Sequence, residues 1–216
     1  MATEFVTHSI ASHESMAKTV AAGSGAEALA GAAAVVLAIL GLAGMMPMVL
    51  APIGVIAAGA AFLFQGAAVA SRHRRLAIEA GGGDREIEAG TSAEIVGGLA
   101  GITLGILSLV GIETMVLLAV SAIVFGGTLL FGSPVVYRVG KAEAGMGVSD
   151  EIVGLTTSGA AGAEALVGIA SITLGILALV GLASQTLVLV AVLCIGGAEL
   201  LSGGALTSKM VSLLYH

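Results

Sequence analysis

Residues 94–111 read EIVGGLAGITLGILSLVG and residues 164–181 read EALVGIASITLGILALVG, identical at 12 of 18 positions. An acidic residue opens each stretch, a glycine closes it, and an apolar run rich in small residues lies between. Such a run, without alternating polar residues, reads as a helix rather than a strand. Its recurrence makes a repeated helical hairpin the unit of the fold. Glu27, Glu94 and Glu164 are offset by 67 and 70 residues. The same offsets relate Gly44, Gly111 and Gly181, where each first helix ends, and Gly59, Gly126 and Gly196, deep in each second helix. The first copy has drifted furthest.

Each copy holds two apolar runs, at about 28–46 with 48–70, 95–112 with 115–132, and 165–183 with 186–206. A helix of about 20 residues spans a hydrocarbon layer of about 30 Å. The two runs of the second copy sit at the short end of that range. Composition agrees: hydrophobic residues are 57% and charged residues 10% of the chain, against roughly 45–50% and 25% in soluble domains. The polar surface a water-soluble core needs is missing, so the outer surface faces lipid. The expected fold is an all-α membrane protein with six transmembrane helices in three tandem helical-hairpin repeats. It divides as an N-terminal cytoplasmic or interfacial segment 1–26, repeat 1 over 27–70, a loop 71–93, repeat 2 over 94–132, a loop 133–163, repeat 3 over 164–206 and a tail 207–216.

The hairpins turn at 46–48, 111–114 and 181–186, too short for anything but antiparallel neighbours. All 8 Lys and Arg residues lie in the N-terminal segment, the two longer connections or the tail: Lys18, Arg72, Arg74, Arg75, Arg85, Arg138, Lys141 and Lys209. The positive-inside rule therefore predicts both termini and the long connections on the cytoplasmic side. No signal peptide is read in the first 26 residues, which lack a continuous apolar run. Their Val6, Ile10, His13, Ala17 and Val20 share one helical face, which suits the membrane surface or a partner. A net charge of −6 argues against a nucleic-acid partner, because no basic face displaces counterions from phosphates.

Between helices in lipid, small residues permit close approach. Gly97, Gly101 and Gly105 form a four-residue stripe, and the repeats align Gly31, Ala34 and Ala38 with Gly98, Gly101 and Gly105 and with Gly168, Ser171 and Gly175. Such stripes serve packing within one subunit or between subunits, and the second use implies a homo-oligomer or a subunit of a membrane complex.

GITLGILSLVG, a tight turn and a second helix ending GGTLLFG, followed by ITLGILALVG and IGGAELLSGG, make about residues 27–206 resemble the HdeD-like membrane proteins. In that family a hairpin of this pattern is repeated three times. The resemblance implies a six-helix inner-membrane protein associated with acid or general stress tolerance.

A carboxylate at the centre of a membrane helix costs roughly 2.5–3.5 kcal/mol on insertion scales, which makes it a functional candidate. Glu199 is the one charged residue well inside an apolar run, and its equivalents are Phe62 and Leu129. It serves either as a proton or cation site or as a hydrogen-bonded packing residue, snorkelling being a further option. Gln65 becomes its partner if the bundle brings their helices together. Glu27, Glu94 and Glu164 are expected in the first turn of each repeat, where Ser24 or Thr91 caps and a carboxylate complements the dipole. The alternative is an acidic ring at one mouth. Glu113, at a hairpin tip, reads as solvated.

His8, His13, His73 and His216 all fall outside the apolar runs, which disfavours haem ligation there, and no intramembrane Lys offers a Schiff base. His8, His13 and Glu14 match no strong metal motif. Lone Cys194 forms no internal disulfide. Phosphate-loop and nucleophile-elbow motifs are missing. The expectation is a non-catalytic membrane protein without cofactor or metal, of stress-tolerance or accessory type, acting through self- or partner association. The alternative is a small channel or transporter for a proton, cation or small solute using Glu199.

Overall fold

The computed structural model describes residues 23–80, 85–144 and 150–214. They form six helices and no strand: α1 Gly23–Leu42, α2 Pro47–Ala80, α3 Arg85–Leu109, α4 Thr114–Ala144, α5 Asp150–Leu179 and α6 Ser184–Leu214. The amphipathic face expected before residue 23 lies outside the described residues. The polar connections expected as loops over 71–93 and 133–163 are largely helical, because α2 runs on to Ala80, α3 begins at Arg85, α4 continues to Ala144 and α5 begins at Asp150.

The turns are three copies of one device. At each, a glycine at positive φ (Gly44 +85°, Gly111 +90°, Gly181 +92°) ends the first helix. Its N–H donates to the carbonyl three residues back, and the next N–H donates to the carbonyl five back: Gly44 to Gly41 and Met45 to Leu40, Gly111 to Ser108 and Ile112 to Leu107, Gly181 to Ala178 and Leu182 to Leu177, all at 3.0–3.2 Å. This paired closure satisfies carbonyls a helix end leaves open, and glycine adopts the required backbone without a Cβ clash. Two residues later Met46, Glu113 and Ala183 also take positive φ, at 40°, 37° and 41°. The carbonyl of each then accepts the first bond of the following helix from Leu50, Leu117 and Leu187. The third turn, expected to extend to Thr186, is no longer than the others, since α6 already begins at Ser184.

Five helices contain stretches long and apolar enough to cross a membrane, while the apolar part of α3 is shorter, Ala93–Leu109. That stretch rises about 25 Å at about 1.5 Å per residue. The outer surface confirms the solvent. Leu29, Val96 and Leu166, equivalent in the three repeats, are 75%, 65% and 70% exposed, and Ile39, Ile106 and Ile176 repeat the pattern one face along. An apolar belt this continuous is untenable in water and ordinary in lipid. The chain is an all-α, multi-pass membrane protein.

Packing follows a pseudo-threefold axis. The second helices α2, α4 and α6 contact one another around it, and each first helix fills a groove outside. Each first helix touches two neighbours: its own hairpin partner and the second helix of the preceding repeat. The α2/α3, α4/α5 and α6/α1 seams are equivalent, so repeat 3 closes onto repeat 1 as a ring. At each seam two glycines meet. A methyl placed on Gly98 would lie 2.7 Å from the Gly59 carbonyl oxygen, one on Gly168 2.7 Å from that of Gly126, and one on Gly31 2.9 Å from that of Gly196. Gly59, Gly126 and Gly196, prominent in the sequence as markers, are thus the other halves of these contacts.

On the axis the inner helices contribute layers spaced four and three residues apart, as in a parallel coiled coil. From the turn end these are Ala51, Leu118 and Val188, then Val55, Ala122 and Val192, then Ala58, Phe125 and Ile195, all at most 1% exposed. Three layers are wholly apolar. The fourth holds Phe62, Leu129 and Glu199, and the fifth Gln65, Gly132 and Ser202.

Candidate functional site: a buried carboxylate cluster

The apolar core ends at its fourth layer. Phe62 stacks on Phe125 of the third layer, ring centroids 5.1 Å apart and planes at 27°. Beside Phe62 and Leu129, α6 contributes Glu199, 1% exposed. Fifteen residues of α6 follow Glu199 before the helix ends at Leu214. The apolar span of α6 ends at Gly204, about one and a half turns beyond Glu199, which at 1% exposure does not snorkel. Neither of its carboxylate oxygens has a hydrogen-bond partner. The α2 and α6 helices do pack together, yet Gln65 makes no bond to Glu199, and its own side-chain oxygen is also buried without a partner.

Glu27, Glu94 and Glu164 surround this end of the bundle from the outer helices, at 0%, 1% and 4% exposure. A capping role is excluded for two of them. Glu94 is the tenth residue of α3 and Glu164 the fifteenth of α5, far from any open helix N-terminus. Their burial arises from the seams. On α1, Glu27 accepts a hydrogen bond from the Ser202 hydroxyl of α6, and Ser202 is also 3.4 Å from the Glu199 carbonyl oxygen. On α3, Glu94 reaches into the space Gly132 leaves on α4, where a methyl would lie 2.8 Å from Glu94 Oε1. Its backbone is held close by Gly66 of α2, where a methyl would lie 3.2 Å from Glu94 Cβ. Glu94 Oε2 is buried without a hydrogen-bond partner.

The four carboxylates are near enough to interact electrostatically: Glu199 feels Glu27, Glu164 and Glu94, and Glu94 feels Glu164 and Glu27. No Lys, Arg or His occurs within 23–70, 93–132 or 162–204, so the spanning segments supply no counter-charge. Among the described residues, no group of three or more His, Cys, Asp or Glu side chains is disposed to hold a metal ion. The carboxylates are neighbours through the field, not ligands of one centre.

The small-residue stripe divides between two helices. Gly97 and Gly101 pack against Thr128 and Phe125 of α4, whereas Gly98 and Gly105 face α2, a methyl on Gly105 meeting Ile56 at 2.6 Å and the Pro52 carbonyl oxygen at 3.0 Å. Gly168 and Gly175 repeat the second pattern against α4. Ser171, fully buried, occupies the Gly101 position. All these residues are used within one chain. Glu113 is exposed at its turn, and Cys194 is a free, half-buried thiol.

Ser202 and Gly132 are the site residues sequence reasoning passed over. The repeat offsets, applied to Gln65, lead to both. Fold and site together define a six-helix membrane protein with an internal acidic cluster. No family model, no curated protein and no solved structure matches the chain.

Proposed function

We propose that this chain is a small channel or transporter for a proton or cation, with Glu199 as the exchanging group. One observation carries the reading: a carboxylate 1% exposed, with neither oxygen hydrogen-bonded, stands on the axis where an otherwise apolar core meets a polar layer. Leaving such a group unpaired costs more than a neutral side chain would, and intramembrane carboxylates mark ion and proton pathways. The three repeats run parallel, each hairpin starting at the same end, so any access change is a rocking of hairpins about the axis rather than an exchange of inverted halves. The Lys and Arg distribution supports the cytoplasm as the side facing the turn-distal end, and an inner membrane fits the HdeD-like pattern. Purified protein in liposomes is expected to dissipate an imposed proton or cation gradient, and Glu199→Gln to abolish this. Equal flux from the wild type and the variant removes the reading.

A second reading has its own support. Three successive apolar layers fill the axis on the turn side, which suits a static, non-catalytic body of accessory or stress-tolerance type. Because the glycine seams are spent inside the chain, self-association or docking onto a membrane complex would use the lipid-facing sides of α1, α3 and α5. The mass of the particle gently extracted from its native membrane tests this: a lone monomer counts against it.

A further inference from the structure

We propose that the ligand of the buried cluster is the proton, loaded onto Glu199 from the turn-distal end through the layer of Gln65, Gly132 and Ser202. This deepens the proposed function by naming the transported or stored species, and it rests on Glu199 being the exchanging group.

Charge and geometry point the same way. Four buried carboxylates, on α1, α3, α5 and α6, interact electrostatically, and the spanning segments contain no Lys, Arg or His. Glu199, with both oxygens unpartnered, is therefore neutralised within the spanning segments by a proton on its carboxyl group or by a bound cation. A cation needs several oxygens converging within ligand distance, and the described acidic residues form no such group. A proton needs only one oxygen. Glu199 offers two that are buried and unpartnered.

Among the described residues, the charged groups that act on Glu199 are Glu27 from α1, Glu94 from α3 and Glu164 from α5. From α2 and α4 come Phe62, Leu129 and the uncharged Gln65 and Gly132. The two sides of Glu199 differ in polarity. Towards the turns, Phe62 stacks on Phe125 and three apolar layers follow. Away from them lie half-buried Ser202 and its bond to Glu27. Loading transfers one H+ from hydronium at the turn-distal end to the Glu199 carboxylate, releasing water and leaving Glu199 neutral. Ser202 is a positioning residue that orients Glu27.

The test uses the full chain in lipid nanodiscs, read by infrared spectroscopy of the protonated-carboxyl C=O stretch during pH titration. The expected result is a buried-carboxyl band that loses intensity in Glu199→Gln and is unchanged when Na+, K+, Mg2+ or Ca2+ is added at constant pH. Ser202→Ala is expected to leave the band's amplitude intact and slow its appearance after a pH jump. Loss of the band on adding any of those cations overturns the proposal, as does a band unchanged in Glu199→Gln. Because Glu199→Gln leaves an amide in an apolar layer, Glu199→Leu, which copies Leu129 of repeat 2, serves as a second variant; it is expected to show the same loss of intensity while remaining folded. A band that behaves as expected in protein that moves no protons across liposomes upholds the proton site and refutes only transport.

Discussion

Glu199 occupies a position that the other repeats fill with Phe62 and Leu129, so one carboxylate breaks an otherwise apolar layer. Removing a buried polar group with no hydrogen-bond partner relieves a desolvation cost of about 1–3 kcal/mol. Glu199→Leu is therefore expected to raise the thermal unfolding midpoint in detergent while eliminating ion flux. A stabilised but inactive variant marks a residue kept for function; a destabilised one marks a packing role. The seam glycines make the opposite case. Gly126→Val drives a side chain into the Gly168 carbonyl, and overpacking of this kind costs about 1–3 kcal/mol. Its neighbour Gly127, with nothing within 4 Å of an added methyl, is the control. Gly127→Ala is expected to be neutral or stabilising by up to about 1 kcal/mol, measured by the same melting experiment.

Hairpin geometry belongs to the elements, and the turns carry a prediction of their own. Gly111→Ala places a Cβ on a residue at φ +90°, where L-residues cost about 1–2 kcal/mol. Ala183→Gly, at φ 41° in the same device, is expected to be neutral or to stabilise by less than about 1 kcal/mol. Opposite signs from two small substitutions, read as shifts in melting temperature, test whether the closure rather than side-chain volume holds the turn. The elements were legible because Gly44, Gly111 and Gly181 end three runs in register, and apolar length set the spans. The helix starts were not. Glu94 and Glu164 look like the opening residues of their helices because the apolar run begins there, but hydrophobicity records where lipid begins, whereas a helix continues as long as its backbone bonds do. The site was legible one residue at a time. Glu199 and Gln65 announce themselves as polar residues in apolar runs, while Glu27 bonding to Ser202 and Glu94 filling the place beside Gly132 depend on which helices adjoin. Linear spacing does not encode that adjacency.

The closed ring is a property of the whole molecule. The α6/α1 seam between Gly31 and Gly196 repeats the two seams formed between successive repeats, so α1 and α6 meet at one of three equivalent joints. A circular permutant beginning at Asp150, with the original ends joined and new ends after Ala144, is expected to fold with a melting temperature close to that of the native order. Collapse of the permutant would show that the α4/α5 joint depends on its covalent link. The ring also gives biosynthesis a direction. A ribosome delivers α6 after α1 to α5, so the Gly31 face of α1 waits in the bilayer for a neighbour that emerges four helices later. A nascent chain stalled before α5 presents two unmatched glycine faces to the membrane, Gly31 on α1 and Gly126 on α4, and insertion of the third hairpin covers both at once.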